Sequence, residues 1–192
     1  LGRPDSDAAV IRTDAAQFLA ETDRIIARLP LIYRRLYRND PVEHKRFLIG
    51  RGNSLGQLRK AYGSWITGYY SNFIAIGERG SGKTSVIDIG LQQLELPADV
   101  PVIKGKLQHT IFTEDELMLH LNELFSMETD TDTEAFIARL RQRKDKPVVV
   151  WEGFQNLYLR HMGGFAALDA FLLIITQTAQ QVFWVVSCSR YA

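Results

Sequence analysis

The stretch Gly77-Glu78-Arg79-Gly80-Ser81-Gly82-Lys83-Thr84 fits the phosphate-binding pattern G-x-x-x-x-G-K-[ST] at every position. A phosphate chain is dense in negative charge, and a backbone that wraps it closely needs residues without a Cβ. Gly77, Gly80 and Gly82 meet that need. The N–H groups of the loop and of the first helical turn then face the anion, with the positive end of the helix dipole behind them. The candidate contacts run from Gly77 through Ser85 and include Glu78, Arg79 and Ser81. In this pattern Lys83 reaches the β- and γ-phosphates and the Thr84 hydroxyl ligates Mg²⁺.

The pattern requires a buried strand before it and a helix after it. Phe73-Ile74-Ala75-Ile76 is wholly apolar, as expected of a parallel strand covered on both faces. After Thr84, the spacing of Val86, Ile87, Ile89 and Leu94 predicts a helix, with Gly90 weakening its middle. A Gly/Ser turn with an incidental lysine would not carry both flanks.

A second chemical signal lies in Pro147-Val148-Val149-Val150-Trp151-Glu152, four apolar residues ending in an acid. This is the Walker B form. Open α/β sheets place their ligand crevice at the carboxyl ends of the strands, so Glu152 is a candidate Mg²⁺ partner or the base that polarises an attacking water. Val182-Phe183-Trp184-Val185-Val186 predicts a further buried strand, ending in Ser187-Cys188-Ser189-Arg190. Cys188 reads as a small strand-end residue, since no histidine is placed to activate it.

Composition narrows the classes. Of 192 residues, 46% are hydrophobic and 23% charged, and Lys+Arg 23 against Asp+Glu 22 leaves a net charge of +1. Bulk charge therefore points to neither nucleic acid nor a membrane surface. A single cysteine excludes an intrachain disulfide and makes a cytoplasmic location the economical inference. No signal peptide is visible, and Phe171-Leu172-Leu173-Ile174-Ile175 ends at Thr176-Gln177, short of a membrane span. The start at Leu1 suggests a piece of something longer.

Residues 1–46 read as an N-terminal helical segment with a basic connector, and residues 47–192 as the core. In the first, Ile11, Ala15, Phe18, Thr22, Ile25 and Leu29 form an amphipathic stripe that Pro30 stops, expected to pack against its own domain. The connector interleaves Arg28, Tyr33, Arg34, Arg35, Tyr37, Arg38, Lys45 and Arg46 with Asp40 and Glu43. In the core, Val102 to Leu107 predicts a strand, and the capping boxes Thr113-x-x-Glu116 and Thr131-x-x-Glu134 open two helices. Glu128 to Asp132 lacks the spacing of a calcium loop and reads as a polar connection. The run from Leu157 to Gln180 is amphipathic, broken at Gly163-Gly164.

Phe47-Leu48-Ile49-Gly50-Arg51 leads into a helix bearing Leu55, Leu58, Tyr62 and Ile66, with Asn53 or Ser54 as the expected N-cap. This stretch resembles the F-hydrophobic-G-R box that precedes the P-loop in STAND signal-transduction ATPases and origin-recognition-like AAA+ ATPases. The resemblance implies that Leu48, Ile49 and Gly50 lie over the adenine of ATP. The end of the last strand resembles sensor 1 of the same groups, which implies that Ser187 or Ser189, with Arg190, reads the γ-phosphate. Box, P-loop, Walker B and sensor 1 follow in the family's order from Phe47 to Arg190. Two positions depart: Gly52 stands where a Glu is common, and Gly153 where a second acid would handle the water.

The implied fold is an α/β three-layer P-loop NTPase core. The family's parallel sheet runs 5-1-4-3-2; here the expectation is 1-4-3-2 with the fifth strand missing, the chain being truncated after sensor 1. The implied function is an ATPase with Mg²⁺ as cofactor, slow because of Gly153, acting as a nucleotide-dependent switch between ATP and ADP. A protein partner or self-association would use the open sheet edge or the N-terminal helix. The alternatives are a nucleic-acid-associated AAA+ ATPase, a loader or transposition helper using the basic connector, and a nucleotide-independent interaction module. A small-molecule kinase fits poorly with the long segment before the loop, and a GTPase lacks its Asn/Thr-Lys-x-Asp signature.

Overall fold

The computed structural model describes residues 5–30, 33, 41–42, 44–127, 132–157 and 165–190, with side chains described from residue 16 onward. Arg34, Arg35, Tyr37 and Arg38 of the basic connector, residues 128–131 of the acidic connection and the Gly163-Gly164 break lie outside them. The chain divides into two units, Leu1–Asp40 and Pro41–Ala192. The first contains helix α1 (Asp5–Arg28), which ends before Pro30 with the Leu29 N–H on the Ile26 carbonyl. Proline has no N–H and cannot continue the ladder. Phe18 and Ile25, expected to be packed, are exposed, so the stripe contributes no burial at these two positions.

The second unit runs α2 (Gly52–Ile66), β1 (Phe73–Gly77), α3 (Lys83–Gln93), β2 (Val102–Lys106), α4 (Glu114–Phe125), α5 (Thr133–Gln142), β3 (Val148–Glu152), α6 (Ala166–Thr178) and β4 (Phe183–Ser189). Single 3-10 turns at Lys45–Phe47 and Phe154–Leu157 precede α2 and follow β3. The four strands pair in parallel in the order β1-β4-β3-β2. This is the 1-4-3-2 order expected from the sequence.

Period-2 alternation divides the core into two layers. On β3, Val148 and Val150 face one side with Phe183 and Val185 of β4, packed against Leu58, Tyr62 and Trp65 of α2 and Ile87 and Leu91 of α3. Val149 and Trp151 face the other side with Trp184 and Val186, under Leu121 and Phe125 of α4, Phe136 and Leu140 of α5, and Phe171 and Ile174 of α6. Each such side chain, fully buried, contributes roughly 1.5–3 kcal/mol. Two of the three indole N–H groups find acceptors where α6 ends: Trp65 donates to the Ala179 carbonyl at 2.8 Å, and Trp184 to the Thr178 hydroxyl at 3.0 Å, whereas Trp151 Nε1 is buried without a hydrogen-bond partner among the described residues.

β1 departs from its apolar composition. Phe73 is buried, but Ile74 and Ile76 are 56% and 68% exposed, so the expectation of cover on both faces is corrected. The strand lies at the end of the sheet order, and the helical layer that closes over Trp184 and Val186 does not extend over it. A run of apolar residues reports compatibility with burial on two faces, not the presence of a neighbour. Among the described residues no helix is long and apolar enough to cross a membrane.

Helix starts follow the capping chemistry in one case and depart from it in two. At α4 the box is complete: the Glu116 N–H donates to Thr113 Oγ1, and the Glu116 carboxylate accepts from the N–H groups of Phe112 and Thr113. At α5 the cap is Asp132, whose carboxylate accepts from the Glu134 N–H at 3.2 Å; Thr131 lies outside the described residues. At α2 the N-cap is Arg51 rather than Asn53 or Ser54, and no side chain caps it. Gly50, at φ +74, turns the chain two residues earlier than a polar cap would.

Gly90 in α3 is explained by its neighbour: a Cβ there would lie 2.4 Å from Leu58 Cδ2, at a residue with no exposed surface. Its absence lets α2 and α3 approach. Gly90→Ala gains about 1 kcal/mol in helix propensity and costs roughly 1–3 kcal/mol in overpacking. Urea denaturation is expected to show net destabilisation, and a stabilised variant would refute this account of the helix contact. Backbone N–H donors hold the Glu116 carboxyl below its ordinary value of 4.5. Its contribution is complete above that value and is lost as the pH falls through the lowered one. Glu116→Gln should therefore flatten the acid limb of the stability profile, measured by denaturation over roughly pH 2–5, the range through which a carboxyl with a lowered value gains its proton.

Candidate functional site

The parallel register brings the carboxyl ends of three adjacent strands to one edge. Gly77 of β1 lies opposite Ser189 of β4, and Ser187 of β4 opposite Glu152 of β3. Beyond the last strand pair, the Arg190 N–H donates to the Gly77 carbonyl at 3.1 Å. The glycine turn, the acid of β3 and the polar end of β4 thus share one edge of the sheet. Glu152, Ser187, Ser189 and Arg190 lie along that edge, and Lys83 follows the glycine turn at the end of β1.

Within the turn, Gly80 and Gly82 take φ of +77 and +80, the left-handed region in which a Cβ is costly. Gly77 differs: a Cβ there would meet the Ser81 side chain, at 2.7 Å from Oγ, so the serine would have to turn aside. Ser81 N–H closes the turn on the Glu78 carbonyl at 3.1 Å. Gly82 is the N-cap of α3, and the ladder starts with Val86 N–H on the Gly82 carbonyl. Lys83, Thr84 and Ser85 therefore present first-turn N–H groups with no intrahelical acceptor. The Lys83 ammonium sits over the turn, donating to the carbonyls of Gly77 at 2.9 Å and Glu78 at 2.8 Å.

Lys83 also acts on the end of β4. Burial pushes the Cys188 thiol up, and the Lys83 charge opposes that shift only in part. The thiol is therefore neutral near physiological pH, in keeping with a packing role. Ser187 is buried, while Ser189 and Glu152 are partly buried and Arg190 is exposed.

Three contacts that sequence reasoning did not reach hold this edge together. The Arg51 guanidinium donates from Nη2 to the Ser81 carbonyl at 2.6 Å, tying the start of α2 to the glycine turn. The Val42 N–H donates to Ser85 Oγ at 2.8 Å, bringing residues 41–42 against the first turn of α3. Gln155, in the turn after β3, accepts from the Ser189 N–H at 2.9 Å. Arg51 was visible as part of the box, but its partner is a main-chain oxygen that no pattern specifies. Of the box residues, Leu48 is partly buried, Ile49 is exposed and Gly50 is at φ +74.

Gly153 is held by geometry rather than by chance. Its φ is +84, and a Cβ would lie 2.6 Å from the Leu107 carbonyl oxygen, which already accepts from Asn156 Nδ2 at 2.8 Å. Leu107 N–H in turn donates to the Glu152 carbonyl at 2.9 Å. The end of β3 is thus strapped to the loop after β2, with no room for a carboxylate beside Glu152.

The donor set fits a nucleotide with a hard cation. The left-handed glycines Gly80 and Gly82, the open N–H groups of the first turn and one ammonium suit a phosphate chain. Among the described residues no three His, Cys, Asp or Glu side chains gather to hold a metal alone. A cation here would take the Thr84 hydroxyl, the Glu152 carboxylate, phosphate oxygens and water, a mixture typical of Mg²⁺.

No protein-family model matches the sequence, and no curated protein is detectably similar to it. Solved structures are. The ORC2 protein of Aeropyrum pernix, in ADPNP and ADP complexes, superimposes with a TM-score of 0.53 at 11% identity over 78% of this chain and 42% of that one. The Walker-type ATPase PABY2304 of Pyrococcus abyssi gives 0.46 at 14% identity, over 79% of this chain and 48% of that one. Drosophila ORC bound to DNA gives 0.42 at 11% identity, over 80% of this chain and 47% of that one. The chain spans less than half the length of each. The first of these likenesses establishes the fold: an α/β P-loop NTPase core.

Gly153→Ala should destabilise by about 2 kcal/mol or more, because left-handed strain and the fixed Leu107 oxygen act together. Chemical denaturation measures this, and a change below about 0.5 kcal/mol would show that the strap yields.

Proposed function

We propose that the chain is an Mg²⁺-ATP-binding, slowly hydrolysing module of the AAA+/STAND type, acting as a nucleotide-dependent switch. The observation that carries this reading is the gathering of the Lys83 turn, the end of β3 at Glu152 and the end of β4 at one edge of a parallel sheet. The solved structure with the shared fold, ORC2 of Aeropyrum pernix, holds ADPNP and ADP, which supports a nucleotide as the ligand class.

In this reading the first-turn N–H groups and Lys83 bind the phosphates, while Leu48, Ile49 and Gly50 form the surface under the base. Thr84 and Glu152 hold Mg²⁺, which when bound neutralises charge developing on the phosphate oxygens. Ser187, Ser189 and Arg190 report the γ-phosphate to β4. Lys83 has to leave the carbonyls of Gly77 and Glu78, trading two neutral acceptors for a charged one. The second acidic position is Gly153, where a carboxylate cannot be accommodated, which supports slow turnover. Partners or a second copy would use the uncovered face of β1 at Ile74 and Ile76, or the exposed Phe18 and Ile25 of α1. The cytoplasm is the proposed location.

Calorimetry with Mg²⁺-ATP tests the reading directly. Wild type should bind, and Lys83→Ala should lose a charge-assisted contact of roughly 1.5–3 kcal/mol, about 10- to 100-fold in affinity. Equal affinities, or no binding by wild type, would refute it. Glu152→Gln should weaken binding only when Mg²⁺ is present. Intact binding with abolished turnover would instead assign Glu152 to the water.

A further inference from the structure

The geometry points to Arg51 as a positioning residue of the glycine turn: by holding the Ser81 carbonyl it aims the Gly82 N–H at the phosphate chain. This rests on the reading of Gly77–Ser85 as a nucleotide site.

A peptide unit is planar and trans, so the carbonyl of one residue and the N–H of the next point in opposite directions. With Ser81 O held by Arg51 Nη2 at 2.6 Å, the Gly82 N–H is directed away from Arg51. Among the described residues no backbone carbonyl accepts from it. The peptide has an intrinsic alternative: a flip changes ψ of Ser81 and φ of Gly82, and Gly82, at φ +80 and without a Cβ, tolerates either sign of φ. Flipped, the unit would present a carbonyl oxygen where the N–H stood, and a favourable dipole toward an anion would become a repulsive one. A guanidinium, which offers donors and no acceptor, selects the first orientation.

Arg51 can impose this because its own position is set elsewhere. It caps α2, with its carbonyl accepting from the Leu55 N–H at 3.1 Å, and α2 is locked to α3 where Leu58 sits over Gly90. The other end of the turn is held separately by Val42 on Ser85. The Arg51 contact is exposed to solvent, where an isolated hydrogen bond contributes little to global stability. Its effect therefore falls on the orientation of one peptide and not on the fold.

The test uses the 192-residue chain as wild type, Arg51→Ala and Arg51→Lys. Affinities are measured for Mg²⁺-ATP and for inorganic tripolyphosphate, which has no base or sugar. The unliganded thermal midpoint and the Gly82 amide resonance are recorded beside them. Arg51→Ala should lose about tenfold in affinity for both ligands, shift the Gly82 resonance and leave the midpoint in place, with Arg51→Lys restoring part of the affinity. A loss for ATP with none for tripolyphosphate would move Arg51 to the base and overturn the inference. An unchanged Gly82 resonance, or a midpoint lowered in step with affinity, would also overturn it. If wild type bound no ATP, the nucleotide reading would fall, whereas wild-type binding with an unaffected Arg51→Ala would remove only the role of Arg51.

Discussion

Parallel pairing is the constraint on which the rest of the structure depends. In a parallel sheet every strand runs the same way, so each carboxyl end arrives at the same edge and the side chains that follow are neighbours without being close in sequence. Here the registers Gly77 to Ser189 and Glu152 to Ser187 bring three segments of chain together within two strand spacings. The aromatic layer of Trp151, Phe171 and Trp184 makes that register rigid, with Trp151 and Phe171 centred 4.6 Å apart. A one-residue slip would turn Trp151 toward the opposite helical layer.

The edge is then refined by hydrogen bonds to main-chain atoms. Arg51, Gln155 and the Arg190 N–H each act on a carbonyl or N–H of another segment, and Asn156 does the same for Leu107. Each such bond contributes on the order of 1 kcal/mol at most to stability. What they provide is direction: a polar peptide can face a ligand with its donor or its acceptor, and these contacts choose. The same logic makes Gly153 costly to replace, since the Leu107 oxygen occupies the space a side chain would need.

β1 joins two roles that pull in different directions. Its carboxyl end carries the glycine turn, yet it lies at the end of the sheet order with Ile74 and Ile76 open to solvent. The strand Phe73–Gly77 contains no proline or charged residue of the kind that usually protects a sheet edge. An interaction at this edge would act one residue away from the turn that the proposed nucleotide occupies, so partner binding and nucleotide binding are physically close enough to be coupled.

The sequence by itself determined the class of fold and the chemistry available to it. The eight residues from Gly77 to Thr84 specify a turn whose glycines have few alternatives, the apolar runs ending at Gly77, Glu152 and Ser189 specify strands, and the Thr113–Glu116 box specifies a helix start, all because the cause lies within a few residues of the effect. Only the tertiary structure decided what depends on distant neighbours. The apolar run of β1 could not reveal that one of its faces is uncovered, Gly90 could not be assigned to helix contact without Leu58, and Arg51 and Gln155 act on main-chain atoms 30 and 34 residues away. A backbone oxygen has no identity in a sequence, and its accessibility is set by the packing of elements that the chain joins only after folding.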